Sequence, residues 1–240
     1  MKAGIFYGVG VGPGDPELLT LKALRVLREV EDVFVPRTKR ESESTALSIV
    51  EEHLHPDTSL HDLVFPMTKN KDILEKAWQE GAGQIKRLLN QGRSAAFITL
   101  GDPMLYSTYV YLFKRIKKEG YRVETVPGIP SFCAAAASAG FPLAEGEEKV
   151  AVAPWSSGEA ELTGEAIKSF ESVVLMKVSG DYSGVRACLQ KNGMFEDSIL
   201  VSKCGHEDEE IKELAYGPEG GEAPYFSLVL ARKGRGINNG

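Results

Sequence analysis

Apolar positions along the first 125 or so residues switch repeatedly between two spacings. "GIFYGVG" (4–10) is a short apolar run suited to a strand. From Glu17 to Val30, Leu18, Leu21, Leu24 and Leu27 recur at helical spacing, which predicts an amphipathic helix. "EDVFVP" (31–36) reads as a strand ended by Pro36. "STALSIVEEHL" (44–54) reads as a helix with Ser44 or Thr45 near its cap. "LHDLVFPM" (60–67) reads as a strand. The segment 70–92 predicts a long helix with a soft spot at Gly81 and Gly83 and a stop at Gly92. "SAAFITLGDP" (94–103) is a buried strand running into a sharp turn. "LYSTYVYLFKRIKKEG" (105–120) is a helix that begins at Tyr106, Ser107 and Thr108, with either hydroxyl able to cap it. "YRVETVPG" (121–128) is another strand. Strand alternating with helix predicts an α/β fold with a mostly parallel, doubly wound sheet. Ligands of such sheets bind beyond the carboxyl ends of the strands.

After "PGIP" the pattern restarts. "SFCAAAASAG" predicts a helix of small residues, and 148–154, 172–180, 198–205 and 225–234 predict strands. Helices are expected at 158–170 and 181–193. The stretch 209–217 suits an edge strand or a turn. Two α/β domains are therefore expected, 1–126 and 127–240, with the second sheet mixed and a polar, frayed tail at 233–240.

The chemistry must lie in the turns that follow strands: "GVGVGPGD", "TLGDP" and "TVPGIPS". The first looks like a dinucleotide fingerprint, but the spacing G-x-G-x-x-G fails in both registers. Counted from Gly8 the third glycine is Pro13, and from Gly10 it is Asp15. Pro13 has no N–H to give a phosphate, and Asp15 puts a negative charge where a diphosphate would sit. Asp15 and Pro16 instead read as the N-cap and first position of the next helix.

Composition narrows the classes. Of 240 residues, 28 are Lys or Arg and 34 Asp or Glu, a net charge of −6, which argues against a general nucleic-acid binder. No apolar run reaches the roughly 18–20 residues of a membrane span, and no signal peptide is visible. Cys133, Cys188 and Cys204 are scattered without metal-ligand spacing, which suggests a reducing, cytoplasmic setting. Cys133, among alanines, reads as a buried packing residue. His53, His55 and His61 share a polar segment whose spacing is loose for a metal, so no metal site is expected.

"GVGVGPGDPELLTLKALRVL", "TLGDPMLYSTYVYL" and "VPGIPSFCAAAA", in that order, resemble the S-adenosylmethionine-dependent tetrapyrrole (corrin and porphyrin) methyltransferases over essentially the whole chain. "LGDPMLYSTYVYL" and "MKV" are most similar to the branch that methylates carbon 20 of precorrin-2 or cobalt-factor II in cobalamin biosynthesis. The resemblance implies two α/β domains with a cofactor cleft between them, a homodimer, and a small-molecule tetrapyrrole as partner. It puts Pro13 near the cofactor and Gly12 along the substrate trough. The backbone of Leu100, Gly101 and Asp102 would meet the methionine part of S-adenosylmethionine, with Leu105 just beyond and Tyr106 lining the cleft. Pro130 and Ser131 stand where relatives carry Thr-Ala. Met176 and Lys177 align with cofactor contacts, Lys177 at a strand position, and Gly205 packs near the adenine. Asp102 either contacts the cofactor's amino group or caps the next turn. A substrate rich in carboxylates calls for a basic rim. Arg37, Lys39 and Arg40 after the second strand, and Lys177, are the candidates.

Methyl transfer from a sulfonium to a nucleophilic ring carbon needs mainly positioning. No nucleophile–base constellation is required, and no catalytic residue is assigned. Three rivals remain open. A nicotinamide oxidoreductase is disfavoured by the glycine spacing. A tetrapyrrole carrier would need no cofactor site. A relative acting on ribosomal RNA or on a modified histidine is disfavoured by charge for the RNA and less clearly for the protein.

Overall fold

The computed structural model describes residues 4–39, 42–216 and 222–234. The chain divides into two compact units, Met1–Pro130 and Ser131–Gly240, so the "PGIP" turn belongs with the first.

The first unit contains strands β1 (Ile5–Gly10), β2 (Asp32–Arg37), β3 (Ser59–Val64), β4 (Ala95–Thr99) and β5 (Arg122–Val126), and helices α1 (Leu21–Glu29), α2 (Thr45–Val50), α3 (Lys71–Asn90) and α4 (Tyr109–Lys118). All five strands are parallel, in the order β3-β2-β4-β1-β5. Residues of α1 and α2, among them Val26, Leu27 and Ile49, pack with Val9, Val33 and Ile98 on one face. Residues of α3 and α4, among them Ile85, Leu89 and Leu112, pack with Phe6, Phe34 and Phe97 on the other. The connection leaving β1 runs to β2 on one side, and that leaving β4 crosses to β5 on the other. Adjacent strands with oppositely directed connections make a switch point, the natural ligand crevice of this architecture.

Several local expectations shift. The helix expected over 17–30 is broken in two: Pro16–Leu18 is a 3-10 turn capped by Asp15, whose Oδ1 accepts from the Glu17 amide, and α1 begins at Leu21, capped by the Thr20 hydroxyl. Helix α2 stops at Val50 and a 3-10 turn replaces its end. Helix α3 runs unbroken through Gly81, which is buried against Leu63, Phe65 and Leu112. A Cβ there would make ordinary contacts at 3.4 Å with Leu112 of α4 and Leu63 of β3, so packing alone does not require the glycine. Helix α4 begins only at Tyr109, and Tyr106 and Ser107 belong to the preceding loop.

The amino end of the sheet is tied by a buried carboxylate. Asp32, fully buried at the start of β2, accepts from His61 on β3 at 2.7 Å and from Arg93 at 2.9 Å. Arg93 also lies 2.8 Å from Asp32 Oδ2, but only the Oδ1 contact has hydrogen-bond geometry, so Oδ2 is held by charge. His61 is thus a strand residue, stacked on Phe34 at 4.9 Å between ring centroids.

The second unit contains α5 (Ser131–Ser138), β6 (Val150–Pro154), α6 (Ala160–Ile167), β7 (Ser172–Met176), α7 (Tyr182–Lys191), β8 (Ser198–Ser202), β9 (Glu210–Glu213) and β10 (Ser227–Arg232). Its sheet is mixed, ordered β6-β7-β10-β8-β9; β6 and β7 are parallel, and the last strand inserts antiparallel between β7 and β8. Alternate residues of the strands divide between α6 and α7 on one face (Val173, Leu175, Leu200, Val229) and α5 on the other (Val174, Ile199, Leu228, Leu230). Ala135 and Ala136 make the α5 contact, whereas Cys133 is exposed, contrary to its expected burial. Helix α5, about two turns long, covers the sheet with its alanine face and turns the cysteine away. No described helix is long and apolar enough to cross a membrane.

Breaking the Asp32 cluster is expected to be costly because it leaves a carboxylate buried with one partner. Arg93→Met should lower the unfolding free energy by about 2–3 kcal/mol, below the usual ~3–5 because His61 stays bonded. Urea denaturation checks this.

Candidate active site

The three turns expected to converge do so at the carboxyl ends of β1, β4 and β5. Gly12 and Gly101 form an antiparallel bridge: the Gly101 amide donates to the Gly12 carbonyl at 2.7 Å, and the Gly12 amide to the Gly101 carbonyl at 3.4 Å. The Gly128 amide donates to Asp102 Oδ2 at 3.1 Å, and the Met104 amide to Asp102 Oδ1 at 2.8 Å.

The glycines of β1 explain how the turns come so close. Side chains alternate along a strand, so Gly4, Phe6, Gly8 and Gly10 share one face. A Cβ on Gly8 would lie 2.1 Å from the Tyr109 ring. A Cβ on Gly10 would lie 2.6 Å from both the Gly101 carbonyl oxygen and the Gly128 amide nitrogen, and one on Gly128 only 2.2 Å from the same carbonyl oxygen. Gly8 and Gly10 are therefore glycines because this part of the β1 face is emptied for a tyrosine ring and two crossing loops. Tyr109 itself is fully buried and bonds Thr125 on β5 at 2.8 Å. Burial pushes its phenol up, against the opposing Thr125 bond. Beside it, Thr99 and Ser107 share a buried hydroxyl–hydroxyl bond of 2.9 Å, and the Ser107 hydroxyl also accepts from the Tyr109 amide at 3.1 Å. Ser107, and not Thr108, therefore supplies the side chain at the start of α4.

The same loops are badly arranged for a diphosphate. The amides at the first helical turns are already bonded to Asp15 and Thr20, and the 3-10 turn separates α1 from the end of β1. Gly101 is buried among these turns without being crowded. This residue has φ of +67°, and an added Cβ there would meet nothing nearer than the Ile129 carbonyl and Pro130 Cα at 3.9 Å. Pro13 is buried, Leu100, Leu105, Pro130 and Ser131 are half-buried, and Tyr106 is 49% exposed. Tyr106 has φ of +51°, a left-handed conformation that costs a non-glycine residue about 1–2 kcal/mol.

Arg37 is the last residue of β2, which runs one residue past Pro36, and its guanidinium is engaged: Nε bonds Asp62, and another nitrogen bonds the Ser42 carbonyl. Lys39 is exposed, and Arg40 lies outside the described residues.

In the second unit, left-handed residues gather at one end of the sheet. Lys177 (φ +61°) stands just past Met176, the last residue of β7; Lys203 (φ +51°) follows β8; and Phe226 (φ +25°) precedes β10. The strand expected to contain Lys177 ends one residue earlier, because the chain must turn left-handed there; the lysine is exposed at the turn. Gly205 (φ +79°) lies in the loop after β8, held by Glu209, which accepts from its amide at 2.7 Å and from the Ser138 hydroxyl. Burial pushes the Glu209 carboxyl up, but bonds from Ser138, Gly205 and Cys204 outweigh it and hold it below the usual range. Burial, with the neighbouring Glu209 carboxylate, pushes the Cys204 thiol up to about 12. Gly128, Tyr109 and Glu209 are absent from the sequence-derived candidates. Only Gly128 had a signal there, as part of the third turn. Among the described residues no group of His, Cys, Asp and Glu could hold a metal ion.

The model of the tetrapyrrole (corrin/porphyrin) methylases matches residues 6–216. The chain belongs to that family. It is 35% identical to the cobalt-precorrin-2 C(20)-methyltransferase of Salmonella typhimurium over 231 residues, covering 96% of this chain and 97% of that protein. It is 38% identical to a probable cobalt-precorrin-2 C(20)-methyltransferase of Methanocaldococcus jannaschii, covering 85% of each. Among solved structures it superposes on the uroporphyrin-III C-methyltransferase of Thermus thermophilus complexed with S-adenosylhomocysteine. That match has a TM-score of 0.66 at 21% identity and covers 95% of this chain and 97% of the other. It supports the two-domain α/β fold of this methylase.

Two outcomes follow from the loop geometry. Gly10→Ala must push the β4 and β5 turns apart and should cost about 1–3 kcal/mol, with amide chemical shifts of Gly101 and Gly128 moving most. Because the Glu209 pKa is lowered in the folded state, its contribution is present above the ordinary carboxylate range and lost as pH falls through the folded value. Glu209→Gln should therefore lower the melting temperature at pH 7, with the difference from wild type shrinking as pH falls below the ordinary Glu value of about 4.3. Melting curves across pH check the sign.

Proposed function

We propose that this methylase transfers a methyl group from S-adenosylmethionine to carbon 20 of precorrin-2 or cobalt-factor II in cobalamin biosynthesis. The observation that carries this reading is the 35% identity to a C(20)-methyltransferase along nearly the full length of both chains. The meeting of three backbone turns at Gly12, Gly101 and Gly128, with no diphosphate cradle, is in keeping with it.

When bound, S-adenosylmethionine supplies a methyl on a sulfonium, transferred in one displacement to a nucleophilic ring carbon. The chain's part is to bind and orient. Backbone groups of Leu100, Gly101 and Asp102 receive the methionine portion, with Pro13, Leu105 and Tyr106 around it. Pro130, Ser131, Met176, Lys177 and Gly205 are the further cofactor contacts. Gly12, Arg37 and Lys177 are assigned to the substrate. Arg37 is already paired with Asp62, so the exposed Lys39 offers the less neutralised charge to a tetrapyrrole carboxylate. Holding two reactants at attack distance is the dominant contribution to such a reaction. A homodimer working in the cytoplasm completes the reading.

The test is incubation with S-adenosylmethionine and either precorrin-2 or cobalt-factor II, with the mass and position of the added methyl determined. One methyl at carbon 20 is expected, with calorimetric binding of S-adenosylhomocysteine and none of NAD. A methyl at another ring carbon, or binding of NAD alone, refutes the assignment.

A further inference from the structure

The Asp102 carboxylate spans two turns. Its Oδ1 accepts from the Met104 amide at 2.8 Å, closing its own turn, and its Oδ2 accepts from the Gly128 amide at 3.1 Å, 26 residues away. Gly128 cannot carry a side chain, since an added Cβ would lie 2.2 Å from the Gly101 carbonyl oxygen and 2.7 Å from the Gly10 carbonyl carbon. Its amide is thereby aimed at Asp102. The β4 turn is bonded to the β1 turn through Gly12 and Gly101, and Asp102 supplies the bond to the third. Backbone amides bonded to a carboxylate are stronger than neutral pairs, and together they fix the plane of this one.

We infer that Asp102 is a positioning residue that staples the β4 turn to the Gly128 turn and so fixes the backbone at Gly101. It acts on the cofactor through the loop backbone and not by pairing with the cofactor's ammonium. This rests on the proposed reading that the β4 turn receives the methionine portion. An asparagine at 102 has a single oxygen, so one of the two amides would face an NH2 donor. A serine at 102 can still accept from the amide two residues on but is too short to reach Gly128.

The experiment compares wild type, Asp102→Asn and Asp102→Ser. Hydrogen exchange of the Gly128 amide is measured without ligand. Calorimetric affinity is measured for S-adenosylhomocysteine and for its analogue lacking the amino group. The staple predicts Gly128 exchange about tenfold faster in Asp102→Ser, with both compounds weakened by the same factor, and faster exchange of either the Gly128 or the Met104 amide in Asp102→Asn. Unchanged Gly128 protection in folded Asp102→Ser overturns the staple. Weakening confined to S-adenosylhomocysteine, with the analogue bound as in wild type, makes Asp102 a direct ammonium contact and also overturns it. If wild type binds neither compound, the cofactor reading fails, while Gly128 exchange still decides whether Asp102 is a staple. Should Asp102→Asn not fold, Asp102→Ser, which keeps the turn bond to Met104, carries the test.

Discussion

Gly10, Gly101 and Gly128 meet with backbone against backbone, and no side chain fits between them. An added Cβ at Gly10 or Gly128 would come within 2.6 Å or 2.2 Å of main-chain atoms of the neighbouring turn. Cβ atoms are not tolerated at such distances, so this contact holds only while the positions stay glycine. It brings the ends of three strands into one small region and leaves polar main-chain groups there in fixed orientation. Such groups need no reorganisation when a ligand arrives, and that favours a reaction limited by positioning.

The two ends of the first sheet are built by different means. The amino end closes on a buried carboxylate, Asp32, bonded by the partly exposed His61 and Arg93, which ties β2, β3 and the entry to β4. The carboxyl end is held by main-chain bonds, the Gly12–Gly101 bridge and the Asp102 carboxylate. Beneath it, the Tyr109 ring fills the emptied face of β1, and its hydroxyl reaches Thr125 on β5. Rigidity at one end leaves the other free to present backbone instead of side chains.

The second domain carries strain where the first carries glycines. Lys177, Lys203 and Phe226 adopt left-handed conformations around one end of its sheet, each at a cost of about 1–2 kcal/mol. Glu209 holds the adjacent Gly205 loop, and the pairing of Lys203 with Asp208 adds a second tie. Strain of this kind persists only where the surrounding fold determines the turn.

Periodicity alone made most strands and the longer helices legible, along with the α/β class and the three turns, because burial of one face is written directly into residue spacing. The failure of the dinucleotide register was equally readable, since a proline and an aspartate at given positions forbid a phosphate on steric and electrostatic grounds. The start of α1 was not readable. Asp15 and Thr20 are both good caps, and only packing decides that a 3-10 turn intervenes. Cys133 among alanines carries no mark of which helix face is covered, and Lys177 none of where the strand must turn. The alternating glycines stand in the sequence, but the tyrosine ring and the loops that require them lie about 90 to 120 residues further along. Local spacing records what each segment can bury. Which distant backbone it must accommodate is decided only when the strands take their places in the sheet.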